Sequence, residues 1–281
     1  MRESDFFAEP SLIDELTGII SRAAAAILAA RAGTLAPRAK PDASPVTAAD
    51  EASEAVILAG LSRALPGVPV VSEEAGAPLE LGRGDFVLVD PLDGTRELIA
   101  GRDEFCINLA VVSGGRPRLG FIASPVPGLV WRTVAGGAER LRLPPGAPPA
   151  AAAERSRIRP RPWPPTGAIA MVSRSSFDAL TQAFLARLPP VELIGSGSAL
   201  KLCRLAEGSA DVYPRLAPVS EWDIAAGDAI LSAAGGIVTS PAGAPLVYGT
   251  NPKDFVVRGF IAWGDPAAPH RLGLDHGESA R

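Results

Sequence analysis

Cysteine is nearly absent. The 281 residues hold two, Cys106 and Cys203, each inside a regular apolar segment. Thiols so placed read as core packing in a reducing compartment, and they make a disulfide framework or a cysteine-based metal site a poor expectation. Histidine is equally scarce: His270 and His276 both fall in the polar stretch after Asp265, which reads as a frayed tail. Positive charge is not in excess. With 27 Lys+Arg against 31 Asp+Glu the net charge is −4, so there is no basic field for a nucleic-acid polymer, and an anionic ligand must be met locally. Long apolar runs are missing as well. Glu3 and Asp5 stand where a signal peptide needs positive charge, and the alanine-rich run that follows is broken by Arg22 and Arg31. The expectation is a cytoplasmic protein without an integral membrane segment, with peripheral contact to the inner membrane and a homodimer left open.

What is present can bury a large core, since 47% of the residues are apolar. Leu12, Ile13, Leu16, Ile19, Ile20 and Ile27 fall at helical spacing, with Ser11 and Asp14 spaced as a capping box after Pro10. Residues 50–65 read as a second amphipathic helix, opened by Thr47 and Asp50, again at capping-box spacing. Residues 105–112 and 119–122 read as a hairpin turning at Gly114-Gly115. Residues 144–166, rich in proline, can form neither a helix nor a central strand for long. The chain therefore divides into an N-terminal α+β half with an antiparallel sheet (1–150), a C-terminal half (151–265) and a tail (266–281). In the C-terminal half strand-like segments at 169–172, 191–194 and 210–213 alternate with helical ones at 177–188, 198–207 and 224–234, which means a layered α/β unit.

The most informative segment is Asp90-Pro91-Leu92-Asp93-Gly94-Thr95, directly behind the apolar run 86–89. Such a run reads as a buried strand that stops at a site. Pro91 favours extended geometry at Asp90, Gly94 permits an unusual backbone angle, and a helix begins at Thr95. Two carboxylates with the Leu92 carbonyl between them suit a hard divalent cation such as Mg²⁺, and the amides at the helix start suit a phosphate. Turn-forming Asp-Pro and Asp-Gly pairs also occur without any chemistry. Further acid-bearing element ends, Thr47 to Asp50, Ser72-Glu73-Glu74 and Trp222-Asp223, favour a site. Glu73, Asp90, Asp93 and Asp223 in one cleft would repel unless cations neutralised them.

Taken in order, Ser-Pro-Val-Thr-Ala-Ala-Asp (44–50), Val-Ser-Glu-Glu (71–74), Val-Asp-Pro-Leu-Asp-Gly-Thr-Arg-Glu (89–97) and Glu-Trp-Asp-Ile-Ala-Ala-Gly (221–227) resemble the lithium-sensitive, Mg²⁺-dependent phosphomonoesterases of the inositol monophosphatase superfamily, over nearly the whole chain. The resemblance implies that family's layered fold, an αβαβα sandwich of two halves with the site between them. It implies Glu73, Asp90, the Leu92 carbonyl, Asp93 and Asp223 as ligands of two Mg²⁺, with a third, weaker ion near Glu73 and Glu74 in reach of the outer shell. It also implies a catalytic set of Asp50, Thr95 and Glu73, in which Asp50 holds the Thr95 hydroxyl and the pair polarises the attacking water. No phosphoenzyme is needed.

Among the members the chain looks most like the bisphosphate nucleotidases of bacterial sulfur assimilation, on Glu104-Phe105 with Asn108, Val172 to Ser175, Leu200-Lys201, Leu205 to Gly208 and Tyr213-Pro214-Arg215. That implies removal of the 3'-phosphate of 3'-phosphoadenosine 5'-phosphate to give AMP. A second phosphate calls for cations and donors, and Gly94, Thr95, Ser173, Arg174, Lys201, Arg215 and Asp223 form the expected substrate set. Ala199, Ile224 and Ser176 depart from the nucleotidase pattern, where serine, threonine and histidine are usual. Ile224 leans towards inositol monophosphatase. The rival readings are a sibling inositol or sugar phosphatase and, more remotely, a non-enzymatic metal- or nucleotide-binding protein.

Overall fold

The structure, a computed structural model, describes residues 9–41, 44–76, 84–174, 177–251 and 254–274. Glu3, Asp5, Ser175, Ser176 and His276, each singled out from the sequence, lie outside the described residues. The first helix, α1 (Pro10–Arg31), buries Leu12, Ile13, Leu16, Ile19, Ile20 and Ile27, the face its spacing predicts. Its start differs from expectation. Glu9 is the N-cap, without a side-chain cap bond, and Pro10 opens the first turn, where a missing N–H costs nothing. The Ser11–Asp14 capping box does not form, because the Asp14 carboxylate accepts instead from Arg132 Nη1 at 2.7 Å.

A short ribbon of β1 (Arg38–Ala39) and β2 (Pro45–Val46) leads into α2 (Ala48–Ala64), which packs beside α1. There follow β3 (Val70–Ser72), β4 (Phe86–Asp93), the one-turn helix α3 (Thr95–Ile99), β5 (Cys106–Ser113), β6 (Arg116–Ser124), β7 (Leu129–Val134), β8 (Gly137–Arg142) and β9 (Glu154–Ile158). These seven strands, β3 to β9, form one sheet in sequence order, with β3 parallel to β4 and the other pairs antiparallel. The hairpin at Gly114-Gly115 is there. A second hairpin, β7–β8, was not read from the sequence, although Gly136-Gly137 stands at its turn. Its Arg132 and Glu139 are buried as a cross-strand pair, 2.9 Å apart, which interrupts the apolar alternation. The edge strand β9 begins beyond residue 150, and the chain crosses to the second layer only after Ile158.

The rest comprises β10 (Ala168–Ser173), α4 (Ala179–Leu185), β11 (Val191–Ser196), α5 (Leu200–Ala206), β12 (Val212–Arg215), β13 (Val219–Ser220), a 3₁₀ turn (Glu221–Asp223), α6 (Ala225–Ala234), β14 (Ile237–Thr239), β15 (Val256–Val257), β16 (Phe260–Trp263) and α7 (Ala268–Arg271). Five of the strands form a sheet in the order β11-β10-β12-β16-β14, and β13 pairs with β15 apart from it. Within the stretch expected as a tail, α7 buries Ala268, and Leu274 beyond it is also buried, in the cluster that holds Trp263. Among the described residues no helix is long and apolar enough to cross a membrane.

Strand parity sorts the core into layers. Val87 and Val89 of β4 and Leu109 and Val111 of β5 face α1 and α2. Their neighbours Phe86, Leu88, Ala110 and Val112 face the opposite way, towards Leu202 and Leu205 of α5, Ile230 and Leu231 of α6, and Tyr213 and Phe260 of the second sheet. The far side of that sheet, Ala170, Val172, Val212, Ile261 and Trp263, is covered by Phe184 and Leu185 of α4 and by Ala268. The order helix, sheet, helix, sheet, helix is an αβαβα sandwich. Its middle contact is close: a Cβ at Gly120 of β6 would stand 2.2 Å from the Ala226 carbonyl oxygen of α6, so glycine sets the spacing there.

Candidate active site

The run 86–89 does not stop at the carboxylates, as its sequence suggested; β4 continues through Asp93. Its pairing with β5 runs from Phe86↔Val112 to Asp90↔Asn108 and then skips to Asp93↔Cys106. Pro91 has no N–H to give to a ladder, and the irregularity falls where that loss is harmless. The Leu92 N–H bonds Asp90 Oδ1 at 3.0 Å. Gly94 then turns the chain at φ 103, ψ 35, with its missing Cβ directed at the Glu104 carbonyl and Phe105, both 3.1 Å away. Only glycine suits both the angle and the space, and Thr95 follows at the head of α3.

Asp50 is buried and serves two elements. Its Oδ2 accepts from the Thr47 N–H at 2.8 Å and the Thr47 hydroxyl at 2.6 Å, completing the capping box of α2. Its Oδ1 accepts from the Thr95 hydroxyl at 2.8 Å. Glu73 sits in the turn after β3, its N–H bonded to the Val89 carbonyl at 3.1 Å. Lys40, from the segment joining β1 and β2, lies 2.8 Å from Glu73 and 2.5 Å from Glu74. Burial by itself lowers the Lys40 pKa, but the two carboxylates more than reverse this and raise it. Nothing in the sequence marked Lys40.

Asp93 Oδ2 accepts from the Ala199 N–H at 2.5 Å and from Asn108 Nδ2 at 3.5 Å. Because the donor is backbone, alanine in place of the usual serine at 199 leaves this bond intact. Asp223 closes the 3₁₀ turn ahead of α6, with Trp222 against Phe255, ring centroids 6.2 Å apart. Burial, then Asp93 and Glu73, push the Asp223 carboxyl up to about 8, while Arg215 opposes the shift. Burial followed by Glu73, Asp93 and Asp223 raises Asp90 well above the carboxylate range. Burial raises Asp93 too, against the pull of Lys201 and the Ala199 N–H.

A cleft of about 320 Å³ between the two sheets is lined by Glu73, Asp90, Leu92, Asp93, Gly94, Thr95, Ser173, Lys201, Arg215 and Asp223. Asp50 stands behind Thr95. Arg174 is not on the cleft wall: its guanidinium is held by Glu104, at 2.9 and 2.8 Å from the two carboxylate oxygens. Lys201 is buried, donates to the carbonyls of Ser196 and Ser198 at 3.2 and 2.5 Å, and lies over the Tyr213 ring. Arg215 reaches only the Pro218 carbonyl, at 3.5 Å, and its buried Nε has no partner among the described residues. Arg96, Tyr213 and the Gly197-Ser198-Ala199 turn also line the cleft; Tyr213 and Ala199 stood in the sequence only as marks of the resemblance, and none of the five was expected at the site, because their place there depends on how the two sheets meet. Ile224 lines it as well.

The donor set fits a hard cation, since mutually repelling buried carboxylates with raised pKa values gain most from one. Among the described residues no group of three carboxylate, imidazole or thiol side chains is arranged to hold a metal ion as it stands. Mg²⁺ takes one or two carboxylates and completes its shell with water and phosphate oxygens.

The inositol monophosphatase family model matches residues 9–259. The chain is 36% identical over 253 residues to the 3'(2'),5'-bisphosphate nucleotidase CysQ of Escherichia coli (strain K12), covering 89% of this chain and 98% of that one. Among solved structures, CysQ of Bacteroides thetaiotaomicron, a bacterial member of the inositol monophosphatase family, superposes with a TM-score of 0.74 at 33% identity, over 89% of this chain and 95% of that one. Inositol monophosphatase from Anabaena (Nostoc) sp. PCC 7120 superposes with a TM-score of 0.72 at 26% identity, over 94% and 95%.

Proposed function

Because the chain belongs to the inositol monophosphatase family, we propose that it is a Mg²⁺-dependent phosphomonoesterase that removes the 3'-phosphate of 3'-phosphoadenosine 5'-phosphate, giving AMP and phosphate. Phosphatase chemistry follows from the family and from its nucleotidase relatives. The observation that carries the substrate choice is Arg215, a cleft-lining guanidinium whose buried Nε has no partner among the described residues. A guanidinium left with free donors beside a carboxylate cluster suits the non-reacting phosphate of a bisphosphate. Lys201 adds charge from the same wall, and Ser173 a hydroxyl.

Glu73, Asp90, the Leu92 carbonyl, Asp93 and Asp223 would hold two Mg²⁺, with a third, weaker ion near Glu73 once Lys40 yields its contact. When bound, Mg²⁺ supplies Lewis-acid activation of water and charge neutralisation at phosphorus. Thr95 Oγ1, donating its hydrogen bond to Asp50, keeps lone pairs that accept a hydrogen bond from the attacking water. Asp50 fixes that orientation, since its other oxygen is locked by Thr47. The water oxygen bonds to phosphorus as the bond to the sugar 3'-oxygen breaks, one water proton in net ends on that oxygen to give the 3'-hydroxyl, the other stays with the phosphate, and no phosphorylated residue forms. Two buried free thiols, Cys106 and Cys203, support a cytoplasmic setting.

A second reading, an inositol or sugar phosphatase, is favoured by Ile224 on the cleft wall. Phosphate release from 3'-phosphoadenosine 5'-phosphate, inositol 1-phosphate and fructose 1,6-bisphosphate under the same Mg²⁺ decides between them. The nucleotide is expected to have the highest kcat/KM by tenfold or more; a preference for the inositol ester would overturn the nucleotidase reading and leave the metal chemistry standing.

A further inference from the structure

Asp223 comes from the second half of the sandwich, whereas Glu73, Asp90 and Asp93 come from the first, so something must hold it in register across the cleft. It rides on a single 3₁₀ turn, Glu221–Asp223, too short to keep its own geometry. Backbone contacts secure one side. The β13–β15 ribbon precedes the turn, and the Glu221 N–H bonds the Phe255 carbonyl at 2.7 Å.

The other side is secured by a side chain. Glu221, 2% exposed, accepts the Gly249 N–H with both carboxylate oxygens, at 2.8 and 3.1 Å. Gly249 lies on a strap, residues 244–251, that is fastened to the first sheet. The Tyr248 N–H bonds the Gly115 carbonyl at 3.0 Å, and Arg116 Nη1 bonds the Leu246 carbonyl at 2.8 Å. Gly249 itself is so close to Phe86, at the start of β4, that a Cβ would stand 2.7 Å from the ring. The Tyr248 hydroxyl also donates to Asp228 Oδ2 at 2.8 Å, tying the same strap to α6.

We infer that Glu221 is a positioning residue for Asp223: its buried carboxylate fastens the turn that carries Asp223 to a strap anchored on the first sheet, and so holds Asp223 opposite Asp90 and Asp93. The inference rests on the reading of Asp223 as a metal-holding residue. A carboxylate removed from water is costly unless it is hydrogen-bonded, and the donor Glu221 finds is the Gly249 N–H, on a segment fastened to the first sheet and to α6. Substituting it leaves every cleft carboxylate in the sequence and acts on Asp223 through the turn that carries it.

The test uses the full chain and reads Mg²⁺ affinity by titration calorimetry beside the thermal midpoint. Glu221→Gln puts an amide NH₂ or a weaker acceptor before the Gly249 N–H, and is expected to weaken Mg²⁺ binding about tenfold. Glu207→Gln is the control. Glu207 accepts from Trp131 Nε1 at 2.7 Å and from Arg140 at 3.2 Å, away from the cleft, so its loss should lower the midpoint with Mg²⁺ affinity unchanged. A Glu221→Gln protein that loses thermal stability but binds Mg²⁺ as the wild type does would overturn the inference, since Glu221 would then be structural only. If Glu221→Gln does not fold, Glu221→Asp, which keeps the charge and withdraws it by one methylene, is measured with the same expectation and the same overturning result. Wild-type protein that binds no Mg²⁺ would remove the metal reading and this inference together. A normal wild type beside a normal Glu221→Gln would remove the inference alone.

Discussion

The Thr95 hydroxyl donates to Asp50 Oδ1 at 2.8 Å, joining the start of α3 to the first turn of α2. These residues are 45 positions apart in sequence, and Asp50 is held on its other side by the capping box with Thr47. A residue that caps a helix is thus also the group that orients the proposed water-polarising hydroxyl. Thr95→Ala should therefore lower kcat by at least a hundredfold with KM changed by less than threefold, because the hydroxyl acts on the nucleophile and adds little to substrate binding. Steady-state kinetics on the bisphosphate check this. A rise in KM alone would reassign Thr95 to binding.

Asp93→Asn keeps the shape of the side chain and its contact with the Ala199 N–H while removing the charge a cation needs. Mg²⁺-supported phosphate release should fall to background in this variant, and the wild type should lose activity in a chelator and regain it on adding Mg²⁺. Li⁺, to which the family is typically sensitive, should inhibit the wild type. Undiminished turnover in excess chelator contradicts the proposal.

Arg215 and Lys201 should behave differently although both face the cleft. Arg215→Ala removes a cation with unused donors, so kcat/KM for 3'-phosphoadenosine 5'-phosphate should drop about ten- to a hundredfold, the equivalent of about 1.5–3 kcal/mol for a charge-assisted contact. Inositol 1-phosphate, with no second phosphate to hold, should be affected less than threefold. Lys201→Ala also frees the Ser196 and Ser198 carbonyls and removes a cation that acts on Asp93, so both substrates should suffer. Equal losses on the two substrates in Arg215→Ala would exclude it as the specificity contact.

Three buried carboxyls, of which Asp223 lines the cleft, give the metal-free protein a distinctive pH dependence. Burial raises Asp223 from the ordinary 3.8 to about 8, Glu221 from 4.5 to about 7 and Asp228 from 3.8 to about 6. A carboxyl whose folded pKa is raised binds its proton more tightly when folded, so its contribution is full below about 4 and is lost as pH climbs through the folded value. The groups with lowered pKa, Glu104 and Asp178, act at more acid pH. In chelator the thermal midpoint should fall between pH 5 and pH 8, and the gain on adding Mg²⁺ should grow over the same range, since the cation replaces the protons at Asp223 but not at Asp228. A midpoint in chelator that is flat or rises over this interval would contradict the burial of these groups.

Much of the local structure was legible in the residues alone, because it is set by neighbours in sequence. The apolar spacing of α1, the Thr47–Asp50 capping box, the hairpin at Gly114-Gly115 and the turn at Gly94 each follow from side chains a few positions apart. The carboxylates of the cleft were legible for the same reason, as acids beside turn-forming residues, although Asp90 lies within β4 and not at its end. Long-range partners were not. Asp14 serves Arg132 and not its own helix, Arg174 is claimed by Glu104, and Lys40 reaches Glu73 across a segment with no motif. The β7–β8 hairpin carried a Gly-Gly turn signal at 136–137, but the buried Arg132–Glu139 pair breaks the apolar alternation that would have marked its strands. Composition and periodicity determined that this chain would form layered helices and sheets with an acid-rich site. The tertiary structure decided which cations remain available to a ligand, because a guanidinium or ammonium is committed or left with open donors only by what folding brings within about 3 Å of it.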